Sequence, residues 1–247
     1  MTTSGINQFN LDLNSIVEEA FERCGAELRS GYDLRTARRS LNLLLIEWAS
    51  RGINLWTIEQ GEIPMVQGQI TYDLPVDTID LLDMVVRTQT GIQQTDININ
   101  RISSSTYSTI PNKNAQGRPI QVWINRQTGA TYPINGNEPN TTNLITGVNP
   151  PNINVWPCPD QNNYYTFVYW RLRRMQDSGN GVNTQDIPFR LLPCLVAGLA
   201  YYLCMKLPDA LVRHDMLKAS YEEQWRLASE EDREKASLRM APRMYFR

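Results

Sequence analysis

A single histidine, His214, and four scattered cysteines, Cys24, Cys158, Cys194 and Cys204, are the side chains of this sequence best suited to nucleophilic or metal chemistry. A zinc centre takes thiolates and imidazoles at short, repeated spacings, and the chain has neither a C-x-x-C pair nor a second histidine. Cys194 and Cys204 lie in one apolar run, so the cysteines read as buried thiols of a reducing compartment rather than a disulfide frame. His214 falls on the apolar stripe of a helical pattern, where an imidazole is more often packed than a ligand. Asp80 and Asp83 are the kind of acid pair a glycosidase uses, but spacing along a chain does not set the separation of two carboxylates that such chemistry needs. The phosphate-cradling G-x-x-x-x-G-K-S/T, the dinucleotide G-x-G-x-x-G and the nucleophile elbow G-x-S-x-G are all missing. The expectation is a protein without catalytic residues, cofactor or metal.

Two stretches carry binding chemistry instead. In YYTFVYWRLRR, residues 164–174, Tyr164, Thr166, Val168, Trp170 and Leu172 share one face of a strand. Tyr165, Phe167 and Tyr169 share the other, followed by Arg171 and Arg173. A strand apolar on both faces is covered on both faces, by a sheet, a helix layer or another subunit. Arginines beside aromatics also suit a single-stranded nucleic-acid platform, although a central strand ending at solvent gives the same pattern. The final stretch, RMAPRMYFR, holds Arg239, Arg243 and Arg247 with no acid, and Met240, Met244, Tyr245 and Phe246 as apolar anchors. So many large apolar side chains are costly to leave in water, which marks the segment as a docking element, with Pro242 keeping it extended.

The elements that must position these stretches follow from periodicity. DLRTARRSLNLLLIEWASRGINLW, residues 33–56, reads as a long helix with Asp33 as N-cap and Gly52 as its left-handed stop. Leu34, Ala37, Leu41, Leu44, Leu45 and Trp48 form its apolar face, and Ile53, Leu55 and Trp56 open a strand. A shorter helix over 15–24 starts with a Ser15/Glu18 capping box, and two helices joined by a short loop lie antiparallel. Strands are expected over 57–63, 69–74, 81–88, 96–101, 120–124 and 164–174, with a Gln67-Gly68 hairpin turn and a serine-capped helix within 103–110. Residues 128–151, rich in Asn, Thr, Gly and Pro, read as a projecting loop. Asp186 and Pro188 open a helix whose fifteen-residue stretch between Arg190 and Lys206 carries no charge. As helix it spans about 22 Å against about 30 Å of hydrocarbon, which fits a helix buried in protein rather than a membrane span. Leu207-Pro208-Asp209 breaks the chain before a last helix with Leu211, His214, Leu217, Tyr221, Trp225 and Ala228 on one side.

The expected fold is therefore α+β. An antiparallel-type helical bundle forms from residues 1–56 and 181–238, a mainly antiparallel β domain (57–180) is inserted in it, and an extended tail (239–247) follows. At 247 residues the chain can bury a sizeable core. Its 24 basic residues against 26 acidic ones leave a net charge of −2, so no global field recruits nucleic acid or an anionic membrane. No charged n-region followed by an apolar core opens the chain, so no secretory signal is expected.

The run TARRSLNLLLIEWASRGINLWTIEQG resembles the signature region of head-to-tail adaptors of short-tailed bacteriophages, the tail tubular protein A type. There a helix of pattern A-R-R-x-L-N leads through R-G-I/W into a strand ending near E-x-G. Here the matching positions are Ala37, Arg38, Arg39, Leu41, Asn42, Arg51, Gly52, Ile53, Trp56 and Gly61. Residues 187–228 are similar to the family's two closing helices, and GRPIQVWINR, INVWPCPD and YYTFVYWRLRR to the inserted β domain of related adaptors. The resemblance implies a virion protein made in the host cytoplasm. It implies a ring of about twelve copies, closed by head-to-tail contacts between neighbouring subunits. That ring would sit between portal and tail nozzle around a DNA channel, without sequence-specific DNA contact. The tail residues Arg239, Met240, Pro242, Arg243, Met244, Tyr245, Phe246 and Arg247 would dock on the portal, and the Asn- and Pro-rich β region, longer than in short members, would meet nozzle, tail fibres or capsid. A carbohydrate- or receptor-binding β module and, further off, a cell-wall hydrolase are the alternatives.

Overall fold

The computed structural model describes residues 4–5, 9–52, 55–89, 91–126, 150–179 and 182–233. Most of the 128–151 loop and the whole 239–247 tail lie outside the described residues. The chain is mixed α+β, with five helices and two sheets among those residues. It divides into two compact units, one of residues 1–56 and 175–247, the other of residues 57–174.

The first unit is helical. Helix α1 (Leu13–Cys24) begins at Asp12, whose Oδ1 accepts the Ser15 backbone N–H at 2.8 Å. The expected Ser15/Glu18 capping box is thus displaced by one turn, because a carboxylate satisfies the orphan N–H groups and also opposes the positive end of the helix dipole. The hydroxyl and amide of Ser15 hold the Asp12 carboxyl below the usual carboxylate range. Helix α2 (Gly31–Arg51) is capped by Ser30 rather than Asp33: the Ser30 hydroxyl accepts from the Asp33 amide, and Asp33 reaches back to the Ser30 amide. Gly52 ends α2 in the left-handed conformation, at φ 86°. Ile53 lies outside the described residues, and the extended start expected at Leu55 and Trp56 does not form. Leu55–Thr57 form a 3-10 turn, and Trp56 packs on the helical core while its Nε1 donates to the Asp186 carbonyl at 3.0 Å.

Later in the chain, α4 (Leu192–Cys204) follows a short 3-10 turn at Phe189–Leu191. After a second 3-10 segment at Pro208–Arg213 comes α5 (His214–Glu231). The apolar stripes of α1, α2 and α5 meet on α4, which is buried at Leu192, Leu195, Val196, Ala197, Leu199, Ala200 and Leu203. Leu211 does not join that stripe. It lies in the 3-10 segment and is exposed.

The second unit is β-rich. Strands β1 (Ile58–Pro64), β2 (Thr71–Asp73), β3 (Thr78–Thr88), β4 (Thr95–Asn98) and β5 (Asn100–Ile102) are followed by the short helix α3 (Ser104–Ser108), capped by the Ser103 hydroxyl. Strands β6 (Gln121–Asn125), β7 (Asn152–Trp156) and β8 (Tyr165–Arg173) complete it. One sheet has the order β1-β8-β3-β4 and is antiparallel throughout; the other has the order β2-β7-β6-β5, with β5 and β6 parallel. Gly68 does turn, at φ 74°, but the expected hairpin does not form: β1 pairs with β8 and β2 with β7. The DININR alternation likewise breaks at buried Ile99, sending β4 and β5 to different sheets. Tyr165, Phe167 and Tyr169 of β8 share a core with Val122, Ile124, Ile153 and Val155 of the other sheet.

Candidate functional site

Of the residues that open the chemical question, the thiols are buried, His214 and Asp80 lie against charged partners, and Asp83 is exposed. All four thiols are buried, and three of them point at a carbonyl: Cys24 at Ala200 (3.2 Å), Cys204 at Ala210 (3.0 Å), and Cys158 at Asn114 and Ala115 (3.4 and 3.2 Å). Burial pushes the Cys24 thiol up to about 11 and that of Cys194 to about 12, so neither is a nucleophile near neutral pH. His214 is half-exposed, with Nδ1 2.9 Å from Asp215 Oδ1 and its ring against Tyr201. Asp80 is engaged by Arg101 at 3.0 Å and Arg126 at 3.3 Å. Among the described residues no group of His, Cys, Asp and Glu is arranged to hold a metal, and no helix is long and apolar enough to cross a membrane.

The arginines of β8 are held within the sheet. Arg171 bonds Glu59 at 2.8 Å and Asp77 at 2.6 Å, and Arg173 bonds Glu59 at 2.6 Å. Both guanidinium groups are mostly buried, so they do not form the platform considered for single-stranded nucleic acid. The Arg171 hydrogen bond, helped by its charge, holds the Asp77 carboxyl below the usual carboxylate range.

The A-R-R-x-L-N stretch on α2 has a definite task. Asn42 Oδ1 accepts both the amide and the hydroxyl of Ser178, each at 2.8 Å, and Arg38 Nε donates to the Ser178 carbonyl at 3.0 Å. Ser178 is 2% exposed. Two side chains one helical turn apart thus satisfy every polar group of a buried residue in the segment that returns the chain to the helical unit.

One turn further, Glu47 takes the Tyr202 hydroxyl at 2.5 Å and Arg51 at 2.6 Å. Trp48 Nε1 donates to Tyr221 Oη at 3.1 Å, and Arg51 lies over the rings of Tyr221 and Trp225. Burial and the neighbouring Glu47 carboxylate raise the Tyr202 phenol to about 12, so it stays a donor. The E-W-x-x-R-G run therefore ties α2 to α4 and α5. Periodicity shows the apolar face of α2, but it does not show that these polar residues clamp distant segments.

A groove of about 960 Å³ opens between α1 and the start of α4. Phe9, Leu11, Phe189, Leu192, Pro193 and Val196 supply apolar walls. Glu18, Glu19 and Glu22 edge it from α1, with Arg23 paired to Glu19 at 2.9 Å. Sequence reading missed it because α1's glutamates look like an ordinary solvated face and their apolar partners lie far along the chain.

The chain belongs to the SU10 adaptor protein family, which it matches over residues 12–243. Membership makes it a phage adaptor, a structural component of the virion that meets other virion proteins. No curated protein matches the chain.

Proposed function

We propose that this chain is the head-to-tail adaptor of a short-tailed phage, of the tail tubular protein A type. About twelve copies would form a closed ring between portal and tail nozzle, around the channel through which the genome leaves. In this reading the helical unit is an antiparallel-type bundle, the inserted β unit offers a surface to nozzle or tail fibres, and residues 239–247 are the portal-docking element. The observation that carries the proposal is the family match over almost the whole chain. The signature it spans acts as a clamp and not as a catalytic motif. A net charge of −2 suits a channel that must let DNA slide rather than grip its phosphates.

Arg239, Arg243 and Arg247 would make charge-assisted bonds to portal carboxylates. Met240, Met244, Tyr245 and Phe246 would each contribute on the order of 1.5–3 kcal/mol if fully buried. The test is a chain ending at Leu238, assayed for fold and for co-sedimentation with portal. Loss of binding with an intact fold is expected, whereas undiminished binding refutes the docking role. Electron micrographs of the chain mixed with portal should show a ring seated on it. In ultracentrifugation the chain alone should sediment as a monomer or weak oligomer, and a stable large ring without portal would contradict assembly on the portal.

A further inference from the structure

We propose that the groove between α1 and α4 is a binding site for the chain's own C-terminal segment, residues 234–247, which it holds before portal is met. This rests on the portal-docking reading of the tail and adds a second seat for the same segment.

Three observations support it. The described chain ends close to the turn that leads into α4, whose first residues line the groove. Asp232, almost fully buried, receives the Leu55 amide at 3.1 Å and lies 3.8 Å from Arg190, and Arg190 directly follows the groove residue Phe189. The charges are complementary. Glu18 and Glu22 are exposed with no ion pair among the described residues, Glu19 stands between them, and residues 239–247 hold three arginines and no acid. The apolar content matches as well. Phe189 is 73% exposed and Phe9 77% exposed in the groove wall, and the sequence of residues 239–247 brings two methionines, a tyrosine and a phenylalanine.

Reach is not limiting. Arg239 is six residues beyond Arg233, or about 20 Å of extended chain, against about 10 Å to cross one helix. Tethering also makes weak contacts sufficient. At an effective concentration of about 1 mM, a segment with a dissociation constant of about 0.1 mM is seated roughly nine-tenths of the time. The same numbers let a ring of portal sites displace it. A second copy's tail would meet the same groove but lacks this tether, which is why the chain's own tail is the stated occupant.

The test uses the full chain with Phe189→p-benzoylphenylalanine, irradiated and mapped by mass spectrometry in an equal mixture of ¹⁴N and ¹⁵N chains. Cross-links to residues 234–247 within one isotopic chain are expected. Their yield should fall about tenfold in a Glu18→Lys, Glu22→Lys background and with added salt, because the steering is electrostatic. In the unlabelled full chain, trypsin should cut after Arg239 and Arg243 faster once those charges are reversed. Cross-links that run only between chains, that miss residues 234–247, or that ignore charge reversal and salt would overturn the proposal. A chain that binds portal through its tail but gives no such cross-link sinks the groove alone. A chain that gives the cross-link yet binds portal without its tail sinks the portal reading alone.

Discussion

Replacing Asn42 by leucine should destabilise the helical unit by about 1.5–3 kcal/mol. The leucine nearly preserves volume but deletes the oxygen that accepts both the amide and the hydroxyl of Ser178. The Ser178 hydroxyl can turn toward the Arg38 carbonyl, already 3.5 Å away, so its loss counts for little. The amide has no such alternative at 2% exposure, and an orphaned buried donor costs about 1–3 kcal/mol. Asn42→Asp keeps the oxygen that accepts both bonds, beside the Arg38 guanidinium, and should stay within about 1 kcal/mol of the parent. Urea unfolding followed by far-ultraviolet circular dichroism reads the difference. With a slope of about 2 kcal/mol per molar, the leucine variant's midpoint should fall by about 1 M. A double-mutant cycle with Ser178→Ala should leave most of the loss in place, since the amide survives that change. The clamp argument is refuted if Asn42→Leu unfolds with the parent, or if Asn42→Asp is as damaged as Asn42→Leu.

Gly198 on α4 lets α2 and α5 approach: a Cβ there would fall 2.9 Å from Leu44 Cδ2 and 2.9 Å from a Tyr221 ring carbon. Gly198→Ala should therefore lower the thermal midpoint by the equivalent of about 1–3 kcal/mol despite alanine's better helix propensity, and a stabilised variant would contradict the packing. The folded chain holds the Cys24 and Cys194 protons more tightly than the unfolded chain, whose thiols titrate near 9.0. That stabilisation is complete below pH 9.0, declines above it and is lost as pH rises through about 11 to about 12, so unfolding measured across this range should show a decline that Cys24→Ala and Cys194→Ala flatten. Asp77 gives the opposite sign: its lowered pKa stabilises above the unfolded carboxylate range, and the benefit disappears as pH falls through the folded value. Arg171→Leu should remove that acid dependence and about 1 kcal/mol near neutrality, modest because Glu59 and Asp77 are each nearly half exposed; an unchanged acid limb would refute the pairing.

The helices were legible because their apolar residues recur every three or four positions and one helix carries no charge at all. Their starts were not, since Asp12 competes with Ser15 and Ser30 with Asp33 for the same backbone amides, and only geometry decides. Sheet membership was hidden for a different reason. A turn at Gly68 says that the chain reverses, but the partner of β1 is set by β8, about a hundred residues away. The apolar and basic character of residues 239–247 was plain, whereas the groove depends on α1 and α4 meeting, which no local pattern contains. Asn42 did leave a trace: a polar side chain beside Leu41 on a helix, with a serine in the later connector, is the pairing to look for.

The pairing of Ile58 with Leu172 puts the first and last strands of the β unit side by side. The two halves of the helical core are otherwise separated by the roughly 118 residues from 57 to 174, and closing a flexible loop of that length costs on the order of 4 kcal/mol. Once β1 and β8 zip, that loop is reduced to a few residues, and α4 can find α1 and α2 almost as if they were neighbours in sequence. Folding order is thereby biased, with the insert acting as a scaffold for the core that flanks it. The same adjacency of its two ends is the geometry that lets one compact unit be inserted within another, since the chain enters and leaves the β unit on neighbouring strands.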